Sequence, residues 1–223
     1  LLFHVLSIDE ATSYVDINTI GVLVGMMLFV AVVKNSGLFE YVAIKAAKLT
    51  RGRPMAIMVV FAVITALLSA FLDNVTTVLL IGPMTMSITQ MLVVNPIPFL
   101  LSQIMSSNIG GTATLIGDPP NIMIGSAAGL TFFDFIRYDA PIVVVILAVL
   151  LIVFKIPYGR KIFVDEVAIR EVLALSEQDA IKDRGLFAKS NAMIAAVTAA
   201  FMLHGAMHLA SGDIALGAVG GML

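Results

Sequence analysis

The sequence predicts an all-α membrane protein, and three observations predict it. Hydrophobic residues make up 60% of the chain and charged residues only 13%, with a mean hydropathy of +1.04. Apolar runs of roughly 17–20 residues recur, the length a helix needs to cross a hydrocarbon core of about 30 Å. The basic residues fall in blocks, five of the thirteen within residues 34–53 and seven within 155–189, with none from 54 to 136. A soluble domain cannot hide that much apolar surface. A net charge of −2 argues against a nucleic-acid partner, and the absence of cysteine rules out disulfides and thiolate metal sites. The stretch after Leu1 is acidic and polar, unlike a secretory leader. A chain that opens without Met and stops inside a new apolar run reads as a fragment of a longer protein.

Taken in order, residues 17–33, 55–72, 78–94, 140–156 and 191–209 have the length and character of membrane helices, and another begins at Ile214. Residues 37–49 differ. Leu38, Phe39, Val42 and Ala46 oppose Lys45 and Lys48, the pattern of a helix lying in the interface. Placing both basic blocks in the cytoplasm follows the positive-inside rule. Residues 34–54 and 157–189 are then expected to be cytoplasmic in a multi-pass protein of the cell membrane. Residues 1–16 and 130–139 lie outside.

That orientation constrains the middle of the chain. Residues 55–94 leave and return on one side, so residues 96–129 cross once. A double crossing would turn the seven-charge block outward. Yet this single span contains SNIGGTATLIGDPPN (residues 107–121), which no continuous apolar helix would carry. Asn95 and Pro96 read as an N-cap and first helical residue. The 12 residues to Ser107 reach about 18 Å at 1.5 Å per residue, near mid-membrane. Residues 121–129 resume as a half-helix after Pro119-Pro120, and Thr131 with Asp134 forms a capping pair for a short outer helix. Irregular chain at that depth is tolerated only inside protein or along a cavity, because unpaired backbone groups in lipid cost several kcal/mol each. The plainer alternative is a kinked structural helix.

Two carboxylates fall within apolar sequence, Asp73 in FLDNVTTVLL and Asp118 in IGDPPN. An ionisable group at membrane depth costs at least ~2.5–3.5 kcal/mol to insert, so its default meaning is functional. Neutral oxygens surround each: Asn74, Thr76 and Thr77 near the first, and Asn108, Thr112, Thr114 and Asn121 near the second. Carboxylate, amide, hydroxyl and freed carbonyl oxygens suit hard cations. Half-helix N-termini offer partial positive charge to an anion or polar solute, and broken helices in secondary transporters serve both ends. Asp118 also suits an N-cap role. For residues 73–77, an external turn between two full spans and a re-entrant tip inside the membrane both remain open.

Smaller features carry plainer readings. His204 and His208, four residues apart, suit interfacial packing better than a metal site without a third ligand. Gly21-x-x-x-Gly25 allows close helix approach, within the chain in preference to a homodimer. The methionines are lipid and core filler. Residues 166–189 read as a mixed-charge, solvated cytoplasmic helix, not a docking site.

The motifs FLDNVTTVLLIGP (residues 71–83) and SNIGGTATLIGDPPNIMIGSAAGL (residues 107–130) closely resemble the arsenite-permease and sodium/proton-antiporter branch of the ion transporter superfamily. That branch includes the melanocyte pink-eyed-dilution protein, and citrate and dicarboxylate carriers are more distant relatives. The resemblance extends through residues 18–48 and the linker near 179–184, nearly the whole chain. It implies an inverted-repeat secondary transporter, represented here mainly by its first repeat, with one re-entrant hairpin and one broken transmembrane helix. Residues 1–54 would be a scaffold span plus interfacial helix, 55–94 the hairpin, and 95–130 the broken helix. Residues 131–157 would be an outer helix and span, 158–189 the linker, and 190–223 the start of a truncated second-repeat scaffold. In related carriers the hairpin tip and the unwound link build a sodium site. The matching positions are Asp73, Asn74, Thr76, Asn108, Gly110, Thr112 and Gly117, with Na+ expected at Asp73, Asn74, Asn108 and Thr112. Thr77, Gly111, Thr114, Asp118, Pro119, Pro120 and Asn121 complete the expected ion and substrate site.

The expected function is therefore secondary active transport, with no cofactor beyond Na+ or H+ as coupling ion. A small inorganic solute or ion and the lipid bilayer are the expected partners, and function should need the second repeat. With no Lys or Arg in the predicted core, arsenite efflux or Na+/H+ exchange fits better than a citrate- or dicarboxylate-type anion symporter. An intramembrane aspartyl protease is the rival from another class. Its Gly-x-Gly-Asp motif is absent, since Leu115-Ile116-Gly117 precedes Asp118.

Overall fold

The computed structural model describes residues 15–159, 164–207 and 211–222, and among these it contains ten helices and no strand. They are α1 (Ile17–Lys34), α2 (Leu38–Leu49), α3 (Pro54–Ser69), α4 (Asn74–Met91), α5 (Ile97–Gly111), α6 (Pro119–Ala128), α7 (Phe132–Tyr158), α8 (Glu166–Ala174), α9 (Arg184–Met207) and α10 (Ser211–Met222). Three are long and apolar enough to cross a membrane: α1, α7 and residues Arg184–Leu203 of α9. The chain is thus an all-α membrane protein. The expectations for residues 1–14 and for His208 lie outside the described residues; His204 belongs to α9.

Local chemistry explains the boundaries. Asp16 opens α1, its carboxylate accepting from Asn18 N at 2.9 Å and from the Thr19 hydroxyl at 2.6 Å. Lys34 closes it, matching the negative end of the helix dipole. Asn95 Oδ1 accepts from Ile97 N at 3.0 Å, so α5 begins one residue later than the sequence suggests. The capping box of Thr131 and Asp134 is formed. The helix it opens is not short, however: it runs 27 residues through Pro141 without a break. Outer helix and span are one element, because a proline inside an apolar helix is tolerated where neighbouring groups re-satisfy the freed carbonyl.

Helix packing separates exposed apolar from interior surfaces. Only Phe132, Phe135, Val143 and Leu150 of α7 are buried, whereas Ile142, Val144, Val145, Ile146, Val149, Ile152 and Val153 are exposed. Such a face suits apolar surroundings, lipid or further protein. Helix α1 packs closely on α10. A Cβ at Gly25 would lie 2.6 Å from the backbone carbon of Ala215, and one at Gly21 would lie 3.3 Å from Gly212 Cα. The glycine spacing therefore serves contact within the chain.

Among the described residues, two large apolar cores form beside a small cluster of Ala70, Ala113 and Val143. One gathers Val22, Met26 and Phe29 of α1 with Leu72, Ile116, Phe132, Phe201 and Ala215. The other gathers Ala47 of α2, Ile57 and Phe61 of α3, Ile88 of α4, Phe99 of α5 and Val172 of α8. The latter corrects the reading of residues 166–189 as one solvated helix. That segment divides into α8, a turn-rich strap and the first turns of α9. Val172 is fully buried. Lys48 Nζ lies 2.5 Å from Glu177 Oε2, and Lys182 Nζ lies 2.9 Å from Glu40 Oε1. The segment's high charge concealed a narrow apolar stripe, which the end of α2 covers.

Candidate functional site

Regular structure breaks between α3 and α4 and again between α5 and α6, and the two breaks meet. Helix α3 ends at Ser69, and α4 starts at Asn74 under the cap of Asp73, whose Oδ1 accepts from Thr76 N at 2.9 Å. Helix α5 ends at Gly111, and α6 starts at Pro119-Pro120. The unwound link therefore comprises residues 112–118, shorter than the motif suggested. Asn108, Gly110 and Gly111 are helical. These glycines act through size, since a Cβ on Gly110 would lie 2.1 Å from Ala66 O. A helix meeting another backbone to backbone uses Gly as a small residue and not as a breaker.

Hydrogen bonds hold the breaks together. Ser69 Oγ donates to Ser107 O at 2.7 Å. The buried Thr114 hydroxyl donates to Ala70 O and accepts from Gly117 N, the latter at 3.2 Å. Buried Asn121 donates through Nδ2 to Thr114 O at 2.8 Å and to Gly111 O at 3.3 Å, closing the link onto α6. A loop whose polar groups are satisfied this way can sit in apolar surroundings.

The tip presents two different faces. Asn74 Nδ2 donates to Asn108 Oδ1 at 2.8 Å. Both line a groove of about 220 Å³ with Ser107, Val75, Val78, Leu79 and Ile104. Asp73 instead borders a cavity of about 80 Å³ against α1, where Val22, Leu23, Met26, Met27, Ile116, Pro119 and Ile122 form the other walls. Asp118 is half-buried and near enough to Asp73 for their charges to interact. It occupies the N-cap position of α6 in extended conformation, yet makes no side-chain capping bond. Of the four positions expected to hold Na+, Asn74 and Asn108 touch, and Asp73 lies on the opposite side of the tip. The exposed Thr112 hydroxyl donates to Ile109 O at 2.8 Å. Thr76 is half-buried and Thr77 fully buried, its hydroxyl without a partner.

A buried polar set that the sequence motifs do not single out lies below the tip. Thr65 and Ser69, Thr85 and Thr89, and Gln103 and Ser107 are each at most 1% exposed. Their signal was polar residues four apart inside apolar helices, which marks a single helix face.

Comparisons with known proteins agree with this architecture. The family model described as "Citrate transporter" matches residues 1–223. An uncharacterised transporter of Mycobacterium tuberculosis is 47% identical over 202 residues, covering 91% of this chain and 47% of its own length. A 46 kDa membrane protein of Mycobacterium leprae is 42% identical over 194 residues, covering 87% of this chain and 45% of its own. The human P protein is 41% identical over 152 residues, covering 67% of this chain and 18% of its own. The chain spans about half the length of the mycobacterial relatives. With two satisfied chain breaks joined inside an apolar helical protein, and a family match along its whole length, this chain belongs to the citrate transporter family of membrane transport proteins within the ion transporter superfamily.

Proposed function

We propose that this chain forms one half of a secondary active transporter of the cell membrane. It couples a Na+ or H+ gradient to movement of a small inorganic solute, in the manner of arsenite efflux or Na+/H+ exchange. The observation that carries the reading is the meeting of the hairpin tip and the unwound link, with two carboxylates and paired amides at that junction. Discontinuous helices expose backbone dipoles and freed carbonyls where a cation and a solute can share a site. Asp73 and Asp118 would hold the coupling cation or proton, and the Asn74–Asn108 groove would receive the solute. The second repeat would supply the facing wall. Residues 34–54 and 157–189 would face the cytoplasm, in keeping with their basic residues.

The family's description, citrate transporter, favours a second reading, an anion symporter of the citrate or dicarboxylate type. Against it stands the absence of any Lys or Arg between Arg53 and Arg137, since a multiply charged anion needs counter-charge in a low-dielectric site. Reconstitution of the full-length protein in liposomes tests both. Imposed Na+ and proton gradients should drive arsenite flux, and Asp73→Asn should uncouple it. Na+ and pH dependence unchanged in Asp73→Asn would overturn the coupling role, and gradient-driven citrate accumulation would favour the second reading.

A further inference from the structure

The seams between α3, α4 and α5 hold polar side chains, most of them outside the proposed transport site. In hydrocarbon surroundings such groups need partners, and most find them. Thr85 donates to Ile81 O at 3.1 Å and Thr89 to Thr85 O at 2.8 Å. Ser102 donates to Phe99 O at 2.7 Å and Ser107 to Ile104 O at 2.9 Å. Each of these hydroxyls folds back on its own helix, the usual habit of helical Ser and Thr. Gln103 reaches across, donating through Nε2 to Thr85 Oγ1 at 2.6 Å. Away from the tip, where Thr77 is also unpartnered, three buried atoms stand apart: Thr65 Oγ1, Gln103 Oε1 and Ser106 Oγ make no hydrogen bond, although none of the three residues has exposed surface.

Their positions bring them onto neighbouring turns of one seam. Helices α3 and α5 run side by side in the same direction, with Ile57 and Phe99 in one core at their starts and Ser69 bonded to Ser107 near their ends. One turn back from Ser69 is Thr65, and one turn back from Ser107 is Gln103. Ser106 follows Gln103 by three residues and shares its face. The three orphaned groups thus converge on the α3–α5 seam, and the bond from Gln103 to Thr85 extends it to α4.

We propose that this part of the seam is a binding site for an ordered water molecule. An amide oxygen accepts, and two hydroxyls both donate and accept, which matches the three hydrogen bonds a buried water usually makes. A metal cation fits poorly, because three neutral oxygens without a carboxylate fall short of the shell a hard cation takes. The water joins α3 to α5, and Gln103 joins both to α4. Hairpin and half-helix then form one body, so the two breaks of the transport site keep their register when that body moves.

A double-mutant cycle in the full-length protein tests the site through thermal unfolding in detergent. Thr65→Val and Ser106→Ala should each lower the unfolding midpoint by a few degrees. The double variant should fall no further than the worse single one, because both lose the same water. Additive shifts would overturn the proposal. A density map of the unmodified full-length protein, fine enough to show ordered water, tests it without any variant. It should contain a peak within hydrogen-bond distance of Gln103 Oε1 and at least one of the two hydroxyls. A dry seam, with the hydroxyls turned back on their own helices, would overturn it as well.

Discussion

Asn74 donates its side-chain amide to Oδ1 of Asn108 at 2.8 Å, tying the first residue of α4 to the last turn of α5. Asn108 in turn donates through Nδ2 to Ile104 O at 2.8 Å. The amide pair is thereby oriented at the mouth of the groove, with its remaining polar capacity available to a solute.

Replacing Asn108 with Leu should separate transport from stability. The lost bond is exposed, so it contributes only about 0.5–1.5 kcal/mol to folding. A solute that relies on the amide pair loses orienting bonds as well, and flux should fall roughly tenfold, the equivalent of about 1.4 kcal/mol. Flux assays in liposomes beside melting curves measure both. Wild-type flux in Asn108→Leu would remove the groove from the transport path.

Two glycine substitutions should change stability in opposite directions. In Gly110→Ala the new methyl would lie 2.1 Å from Ala66 O, a backbone atom that cannot step aside. Overpacking of that kind costs about 1–3 kcal/mol or more. In Gly217→Ala, inside α10, the new methyl would meet no atom within 4 Å. Alanine is better than glycine inside a helix by roughly 0.5–1 kcal/mol. Detergent melting of the two variants should show a large loss for the first and a small gain for the second.

These glycines also mark where sequence reading reaches its limit. Helix order, the capping box at Thr131 and the existence of a break after α5 were all legible, because caps, prolines and charge blocks act locally. The break's length was not. Gly110-Gly111 reads equally as a helix breaker or as a close-approach surface, and only the presence of Ala66 on α3 selects the second. The same reason hid the strap. Glu177 and Lys182 look solvated until Lys48 and Glu40, more than a hundred residues away, meet them. Within the candidate site, composition identified the residue types, whereas the separation of Asp73 from Asn74 onto opposite faces depends on how α1 and α5 pack around the tip.

The strap should loosen in acid. Its hydrogen bond to Lys48 holds the Glu177 carboxyl below the usual glutamate range, aided by the charges of Lys48 and Lys45. A value lower in the folded than in the unfolded state means the pair contributes fully above the unfolded value. That contribution disappears as pH falls through the folded one. Spin labels at Leu49 and Gln178 should report a narrow distance distribution at neutral pH that broadens in acid. Glu177→Gln should be broad at every pH, and high salt should act in the same direction. A distribution that ignores both pH and the substitution would show that the ion pair does not hold the strap.

Thr114 offers the sharpest test of the junction between the two breaks. Its hydroxyl is buried, donating to Ala70 O in the tip while accepting from Gly117 N in the link. Thr114→Val preserves the shape of the side chain but leaves a carbonyl and an amide unpaired away from water. Each such group costs about 1–3 kcal/mol, so the variant should lose several degrees of thermal stability. It should also lose transport, because tip and link are no longer held in register. Thr114→Ser keeps the hydroxyl and drops only a methyl, and it should recover most of both. If valine and serine proved equally harmful, the methyl contact and not the hydrogen-bond bridge would be what joins the breaks.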